Sequence, residues 1–578
     1  MGRWNWPIRG RDSHRPGAVA SRNDVGARPG FGWRWGPIRA ALVGVLAFGA
    51  AARPALADDQ LVFEGTAPAG VDHFFIDFDV PEGIVEIELR HEVRTEGAVL
   101  DWGLDGPAGS LGWGGGNTEA ARVGENAASR SYLAGPLPAG RYRVVVGEAR
   151  VPEPPAVVEW AVELTLRSAE TAPPEPERGP YVASPPLSSS SSGGSSGGSS
   201  PGRWYAGDLH VHSRESGDAR PSIDEVAAFA AGRGLDFVVL SEHNTVSATQ
   251  WITGAQARWP ALLLVPGIEV TTYDGHAGAF GATEWVDHRI GQPGSTIEAT
   301  AAAIHAQDAL LIVNHPNLAL GEACIGCAWD HALDPAEVDA LEVITGGWSP
   351  VGQLFYDQNI ALWEAWLDTG AQIAAVGGSD DHRAGEGTGP TESPIGSPTT
   401  LIYAASLSVA DLRAGLAAGR TVVKLQGPDD PMVELWPEPR PALGEAPPPG
   451  ARYVAEISGG SGATLQWVED GRVVEEVALT GDPARVERRM TLGAGRLRAQ
   501  LLVEGAPRVL TSHWFPSGDP VEDSGADGIP AKGDADGCSC AAAGTGPGGR
   551  TLAVVWIALL GPFWLLRRRA QPGRPSPR

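Results

Sequence analysis

The sequence predicts a multidomain protein in which a central α/β barrel is flanked by an N-terminal β-sandwich and a small C-terminal β-domain. At 578 residues the chain is too long for one core, since domains run to roughly 100–200 residues. Short alternating apolar runs before residue 170 and after residue 428 carry an antiparallel-sheet pattern. Between Arg203 and Gln426, apolar strands alternate instead with helix-like stretches. A tract made only of Ser and Gly, Ser188 to Ser200, separates the first two regimes.

Residues 1–57 follow the grammar of a secretory signal. They are Arg-rich with no acid before Asp12, then apolar around Ala40 to Ala52, and end on the small-residue site Ala55-Leu56-Ala57. The mature chain is therefore expected to begin near Asp58 and to be exported to the periplasm, outer membrane or cell surface. In residues 58–170 the runs Phe74 to Phe78, Ile84 to Leu89 and Tyr142 to Val146, punctuated by Gly and Pro, predict the sandwich. Residues 171–202 join a stiff Pro-rich stretch, Pro173 to Pro186, to the floppy Ser/Gly tract, a tether between independent modules.

Within residues 203–427 the strands are Phe237 to Leu240, Ala261 to Val265, Leu310 to Val313, Leu341 to Ile344 and Ile373 to Val376. Two capping boxes open helices: Ser222-Ile223-Asp224-Glu225 before Val226 to Ala231, and Ser295-Thr296-Ile297-Glu298 before Ala299 to Ala306. Residues 428–516 return to alternation, as in Tyr453 to Ile457, Leu465 to Trp467 and Leu497 to Val503. A Gly- and Asp-rich linker, 517–537, leads to residues 538–578. There Cys538-Ser539-Cys540, the apolar run Leu552 to Leu566 and Arg567-Arg568-Arg569 follow one another. That tail resembles the MYXO-CTERM sorting signal of myxobacteria, which implies processing near Cys538 and attachment to a membrane or the cell surface.

A formal charge of -26 repels nucleic acid and anionic lipid, so the expected partner is a small molecule captured locally. Four cysteines do not build a disulfide scaffold, and Cys324-x-x-Cys327, with no second pair near, predicts a local disulfide or two thiols rather than structural zinc.

The chemistry lies in the histidines. Of thirteen, nine fall in the strand-helix region: His210, His212, His243, His276, His288, His305, His315, His331 and His382. His210 and His212 share one face of a strand by its period of two, and Asp380 and His382 repeat that spacing after the strand ending at Val376. His243 follows Leu240, Glu269 follows Val265 and His315 follows Val313. Five strands thus end in a metal-type side chain, as expected where parallel strands converge at one mouth of an α/β barrel. His288, His305 and His331 follow no such strand and are read as structural.

The motifs Gly207-Asp208-Leu209-His210-Val211-His212-Ser213, Leu240-Ser241-Glu242-His243-Asn244, Pro266-Gly267-Ile268-Glu269, Asn314-His315-Pro316 and Gly378-Ser379-Asp380-Asp381-His382 resemble, in order, those of the polymerase and histidinol phosphatase (PHP) superfamily. Gly135-Pro136-Leu137-Pro138-Ala139-Gly140-Arg141-Tyr142 is similar to the leading module of its carbaryl-hydrolase (CehA/McbA-type) branch. The resemblance implies a distorted seven-stranded barrel with two or three divalent ions, whether zinc, manganese or iron. His210, His212, Glu269 and Asp380 would hold one ion, Glu269 with His276 and His315 a second, and Asp218, His243 and His382 a third. Two departures stand out: the loop Arg214 to Ala219 is a residue longer than the common form, and Glu242 replaces a frequent Asp.

Such an ion cluster acidifies water and polarises P=O or C=O. Arg214, Arg220 and Arg383, beside the motifs, are candidate phosphate holders. Asp381 is the candidate proton donor to the leaving group, and Glu242 and Asn244 are candidate orienting groups. The first functional reading is a metal-dependent phosphoesterase. The alternatives are a carbamate, carboxyl ester or amide hydrolase on the same site, and a non-catalytic surface binding protein with a structural metal.

Overall fold

The computed structural model describes residues 58–517 apart from 69, 153–156, 188–201, 322–323 and 389–391. The expected signal segment, the Ser/Gly tract and the sorting tail lie outside the described residues. Among the described residues no helix is long and apolar enough to cross a membrane. The chain is multidomain and mostly β, with few helices.

The first eight strands are β1 (Asp59–Thr66), β2 (His73–Val80), β3 (Glu86–Val93), β4 (Val99–Gly106), β5 (Gly109–Gly115), β6 (Ala121–Gly124), β7 (Gly140–Arg150) and β8 (Glu159–Arg167). They form two four-stranded antiparallel sheets, β1-β8-β3-β6 and β2-β7-β4-β5. Alternation drives them together: in β2, Ile76, Phe78 and Val80 turn inward to join Leu89, Trp102, Val144 and Leu164 in one apolar core. Full burial of each such side chain contributes roughly 1.5–3 kcal/mol.

The described half of the expected tether, 171–187, is strapped down. The Arg178 guanidinium donates to the carbonyls of Ala128 and Tyr132 and to Gln250, the Gly179 N–H donates to the Gln250 carbonyl, and Leu187 bridges to Leu407. Proline stiffness makes this docking cheap in conformational entropy.

The central region runs β9 (Arg203–Val211), α1 (Ile223–Gly232), β10 (Phe237–His243), α2 (Thr249–Arg258), β11 (Leu263–Thr272), β12 (Gly275–Phe280), α3 (Ile297–His305), β13 (Leu310–Val313), β14 (Ala340–Thr345), α4 (Pro350–Leu367), β15 (Ala374–Gly378), β16 (Thr399–Ala404), α5 (Val409–Ala417) and β17 (Thr421–Lys424). Ser222 and Glu225 cap α1 reciprocally as expected, while α3 is capped by Thr296 rather than Ser295, its hydroxyl accepting from the Ala299 N–H. Strands β9 to β15 lie in sequence order. All neighbours are parallel except β12, which is antiparallel to β11 and β13. The two ends of this run meet at the ligand motifs: Val211 bridges Asp381, the Asp380 N–H donates to the His210 carbonyl at 2.9 Å and the His212 N–H to the Asp381 carbonyl at 3.1 Å.

The last strands are β18 (Met432–Glu438), β19 (Arg452–Ser458), β20 (Thr464–Glu469), β21 (Arg472–Ala478), β22 (Ala484–Arg489), β23 (Leu497–Val503) and β24 (Ala506–Thr511). Strand β17 pairs with β24, Val422 facing Thr511 and Lys424 facing Val509, so the sheet of the central region continues through β24 and β23 into β20 and β21.

Candidate metal centre

Glu269, on β11, is fully buried, and imidazoles from four strands or strand ends converge on it. Its Oε1 lies 3.2 Å from His210 Nε2, 3.1 Å from His315 Nε2 and 3.3 Å from His276 Nδ1, and its Oε2 lies 2.9 Å from His243 Nδ1. Asp380 Oδ1 stands 3.3 Å from His210 Nε2 and 3.2 Å from His212 Nε2. Asp218 Oδ2, at the exposed rim, approaches His243 Nε2 at 3.4 Å and His382 Nε2 at 3.6 Å. All nine residues expected as ligands are thus brought to one place. Their donor atoms fall into overlapping groups able to hold an ion, among them His210–His212–Asp380, His210–Glu269–His315 and His212–His243–His382.

The strands place these side chains, and a shell of acceptors sets their tautomers. The His315 Nδ1–H donates to the Cys327 carbonyl, the His382 Nδ1–H to the Asp380 carbonyl, and the His210 Nδ1–H to Glu342 Oε1 at 3.0 Å. Each Nε2 lone pair is therefore turned toward the carboxylates, as a metal ligand requires. The His212 Nδ1–H donates to the Ser216 hydroxyl, which donates on to Glu242. Burial pushes the Glu242 carboxyl up to about 7. Gly378 lets β15 press in here, because any Cβ there would collide with His210 Cβ and Glu342 Oε1. Asn244, His315 and Asp380 hold left-handed backbone, φ 54°, 28° and 56°. Strain of order 1–3 kcal/mol each is typical of a functional site.

The donor set fits divalent cations. His210 Nε2, His212 Nε2, His276 Nε2 and Glu269 Oε2 are buried without a hydrogen-bond partner among the described residues, a cost that an ion among them would remove. Burial alone drives an imidazole toward neutrality, as at His212, which falls to about 3 with His382 and His243 adding to the effect. At His210 and His243 the surrounding carboxylates overcome burial and pull both well above the ordinary range. Burial likewise works to raise Glu269, yet His210, His276 and His243 hold it well below the usual carboxylate range. The field at this point stabilises positive charge.

Above the cluster lies a cavity of about 750 Å³. Asp218, His243, Glu269 and Asp380 line its floor, and Asp101 and Trp113 of the N-terminal module contribute to its wall. Arg383 and Arg220 also line it, while Arg214 does not: its guanidinium sits 5.7 Å from the Trp251 ring, with Nε 3.5 Å from Glu215. Asp381 is corrected as well. Asp380 turns inward, while Asp381 faces the backbone of Arg383, Gly385 and Ile395. It is fully buried, accepts the N–H groups of all three, and does not line the cavity.

Glu342, Asn314 and Thr271 escaped the sequence reading. Glu342 binds His210 Nδ1, the His315 N–H and the Thr345 hydroxyl; Asn314 donates to Glu269 at 3.0 Å; Thr271 meets His243 Nδ1 at 2.8 Å. The available signal for Glu342 was a carboxylate inside the apolar run Leu341 to Ile344, untenable in a core without partners. Cys324 and Cys327 form a disulfide. Of the three histidines read as structural, His305 bonds Asp339 and His331 bonds Thr272, whereas His288 is buried against Trp113 in the cavity wall.

No family model matches the chain, and no curated protein matches it. Among solved structures it is similar to a two-domain protein from Bacteroides vulgatus containing a predicted PHP-like metal-dependent phosphoesterase. The TM-score is 0.32 at 17% identity, over 58% of this chain and 98% of that one. It is also similar to an amidohydrolase from Chromobacterium violaceum with bound sulfate and no metal, with a TM-score of 0.22 at 15% identity, over 32% of this chain and 93% of that one.

Proposed function

We propose that this chain is a metal-dependent hydrolase of small phosphate esters, built on a distorted seven-stranded PHP-type barrel formed by β9 to β15 between an N-terminal β-sandwich and a C-terminal β-domain. The observation that carries the reading is Glu269: one buried carboxylate shared by His210, His243, His276 and His315, with buried donor atoms left unpartnered around it. His210, His212, Glu269 and Asp380 would hold one ion, Glu269 with His276 and His315 a second, and Asp218, His243 and His382 a third. When bound, divalent cations supply Lewis acidity that makes water a nucleophile near neutrality and offsets charge on the ester oxygens.

The protein's own groups do the rest. Arg220 and Arg383, at the cavity wall, are positioned to bind the phosphate oxygens, and this favours an anionic ester over a neutral one. Glu342, Glu242 and Ser216 orient the imidazoles. The N-terminal module narrows access to water from above. The Cys324–Cys327 disulfide accords with function outside the cytoplasm.

The test is hydrolysis by the full chain, loaded in turn with zinc, manganese or iron, of p-nitrophenyl phosphate and of a naphthyl ester. Phosphate turnover that chelator abolishes is the expected result. Turnover of the naphthyl ester alone would move the chain to carboxyl chemistry, and no turnover with bound metal would leave a binding protein.

A further inference from the structure

Unactivated esters leave as poor alkoxides unless an acid protonates the departing oxygen. The groups nearest the cluster cannot supply that acid. The nine ligands are committed to ions, Asp381 is tied up by three backbone N–H groups outside the cavity, and Arg220 and Arg383 are permanent cations. Two other carboxyls among the described residues line the cavity: Glu392, which sits 3.9 Å from the Arg383 guanidinium, and Asp101, which comes from the N-terminal module.

We propose that Asp101, on β4, is the general acid that protonates the leaving oxygen, and that Tyr273 positions it. Asp101 lines the cavity that holds His243, Asp218 and Glu269. Its Oδ2 accepts a hydrogen bond from the Tyr273 hydroxyl at 2.7 Å, while no hydrogen bond to Oδ1 occurs among the described residues. Oδ1 lies on the side of Gly116, itself a cavity-wall residue, where a Cβ would stand 3.4 Å away. Tyr273 follows β11 two alternate positions beyond Glu269 and one beyond Thr271. The strand that supplies the central ligand therefore also reaches the acid, roughly 13 Å further on at about 3.3 Å per residue. Burial raises the Asp101 carboxyl to about 6, against the lowering effect of the Tyr273 bond and His243 and with the help of Asp218, so part of the population carries the proton near neutrality.

The step balances within hydrolysis. The bond from phosphorus to the leaving oxygen breaks with its electron pair on that oxygen, which takes the proton from Asp101. The oxygen of water bonds to phosphorus and its proton passes to solvent. Asp101, left as a carboxylate held by the Tyr273 hydroxyl, regains a proton from solvent.

This assignment rests on the hydrolase reading above, and the experiment separates the two. Asp101→Asn keeps an acceptor for Tyr273 and removes the acid. In the full metal-loaded chain, kcat/KM is measured over phosphate monoesters from p-nitrophenyl through phenyl to methyl, with metal content read by elemental analysis. The loss should be smallest for p-nitrophenyl and climb to about 10²–10⁴-fold for methyl, at unchanged metal content. Tyr273→Phe, which leaves the acid but removes its anchor, should show the same ordering at smaller amplitude and carries the test if Asp101→Asn does not fold. An equal loss across the series, or loss of metal, overturns the assignment. A wild-type chain inert on every ester with metal bound overturns the hydrolase reading itself, and this assignment with it.

Discussion

Two glutamates, the fully buried Glu269 in the strand mouth and the half-buried Glu364 on α4, are each ringed by nitrogen donors, and only one of them is closed. Glu364 takes Arg496 Nε and Nη2 at 3.1 and 3.0 Å, Arg498 Nε at 3.1 Å and His513 Nε2 at 3.0 Å, joining α4 to the C-terminal β-module. Burial pushes Glu364 up, but His513 and Arg498 bring it down to about 2, and its charge is balanced by guanidiniums that never lose theirs. Glu269 has imidazoles where Glu364 has arginines, with Nε2 atoms of His210, His212 and His276 left unpartnered. A carboxylate closed by arginines is a structural joint, whereas a buried one among open imidazoles is an invitation to a cation.

The sharpest way to break that comparison is to neutralise each carboxylate. Glu269→Gln should abolish metal binding and lower kcat/KM by on the order of 10³-fold or more, measured beside elemental analysis of the purified protein. Glu364→Ala should do the reverse. It removes a carboxylate from two buried guanidiniums, leaving Arg496 with Asp368 and Arg498 with Gln500, and should cost about 3 kcal/mol in denaturant unfolding, while turnover per folded molecule holds. If Glu364→Ala lost metal instead, the two sites would not be separable in this way.

Chelation should remove activity and lower the melting temperature, equivalent to about 2.7 kcal/mol where the ion had been present at 100 times its Kd. The Glu364 cluster, needing no ion, should leave the metal-free chain folded, with its far-ultraviolet dichroism retained. Glu342→Gln weakens the hold on His210 and should lower metal affinity by about 10–100-fold in a chelator competition.

The gentlest probe is pH. Burial lowers His513 to about 4, with Arg498 and Arg496 assisting and Glu364 opposing. A histidine whose folded pKa lies below its unfolded 6.5 adds stability in full above pH 6.5, and this is lost as pH falls from 6.5 toward 4. His513→Gln should therefore flatten the decline in unfolding free energy across that window, by at most about 1.4 kcal/mol per pH unit.

Much of this site was legible from local patterns. His210 with His212, and Asp380 with His382, follow from a period of two that needs no knowledge of neighbours. The same rule says that Asp380 and Asp381 point apart, but not which of them faces the cavity, and only the structure turns Asp381 away from it. Strand β12, carrying His276, is only Gly275 to Phe280 and too Gly-rich to announce itself. Arg214 and Arg383 look alike in sequence, yet Trp251 draws the first away from the cavity that the second lines.

What the sequence determined by itself was the inventory: which strands carry imidazoles and carboxylates, where the apolar rhythm changes, and which two turns cap α1 and α3. Only the tertiary structure decided that Val211 and Asp381 close the strand run at the ligands, that Glu342 and Cys327 set the tautomers, and that Asp101 of a distant module reaches the cavity. The reason is range. Periodicity and capping act over a few residues and leave their mark on the local sequence. Burial of a charge, by contrast, is decided by whatever partners long-range packing brings to it.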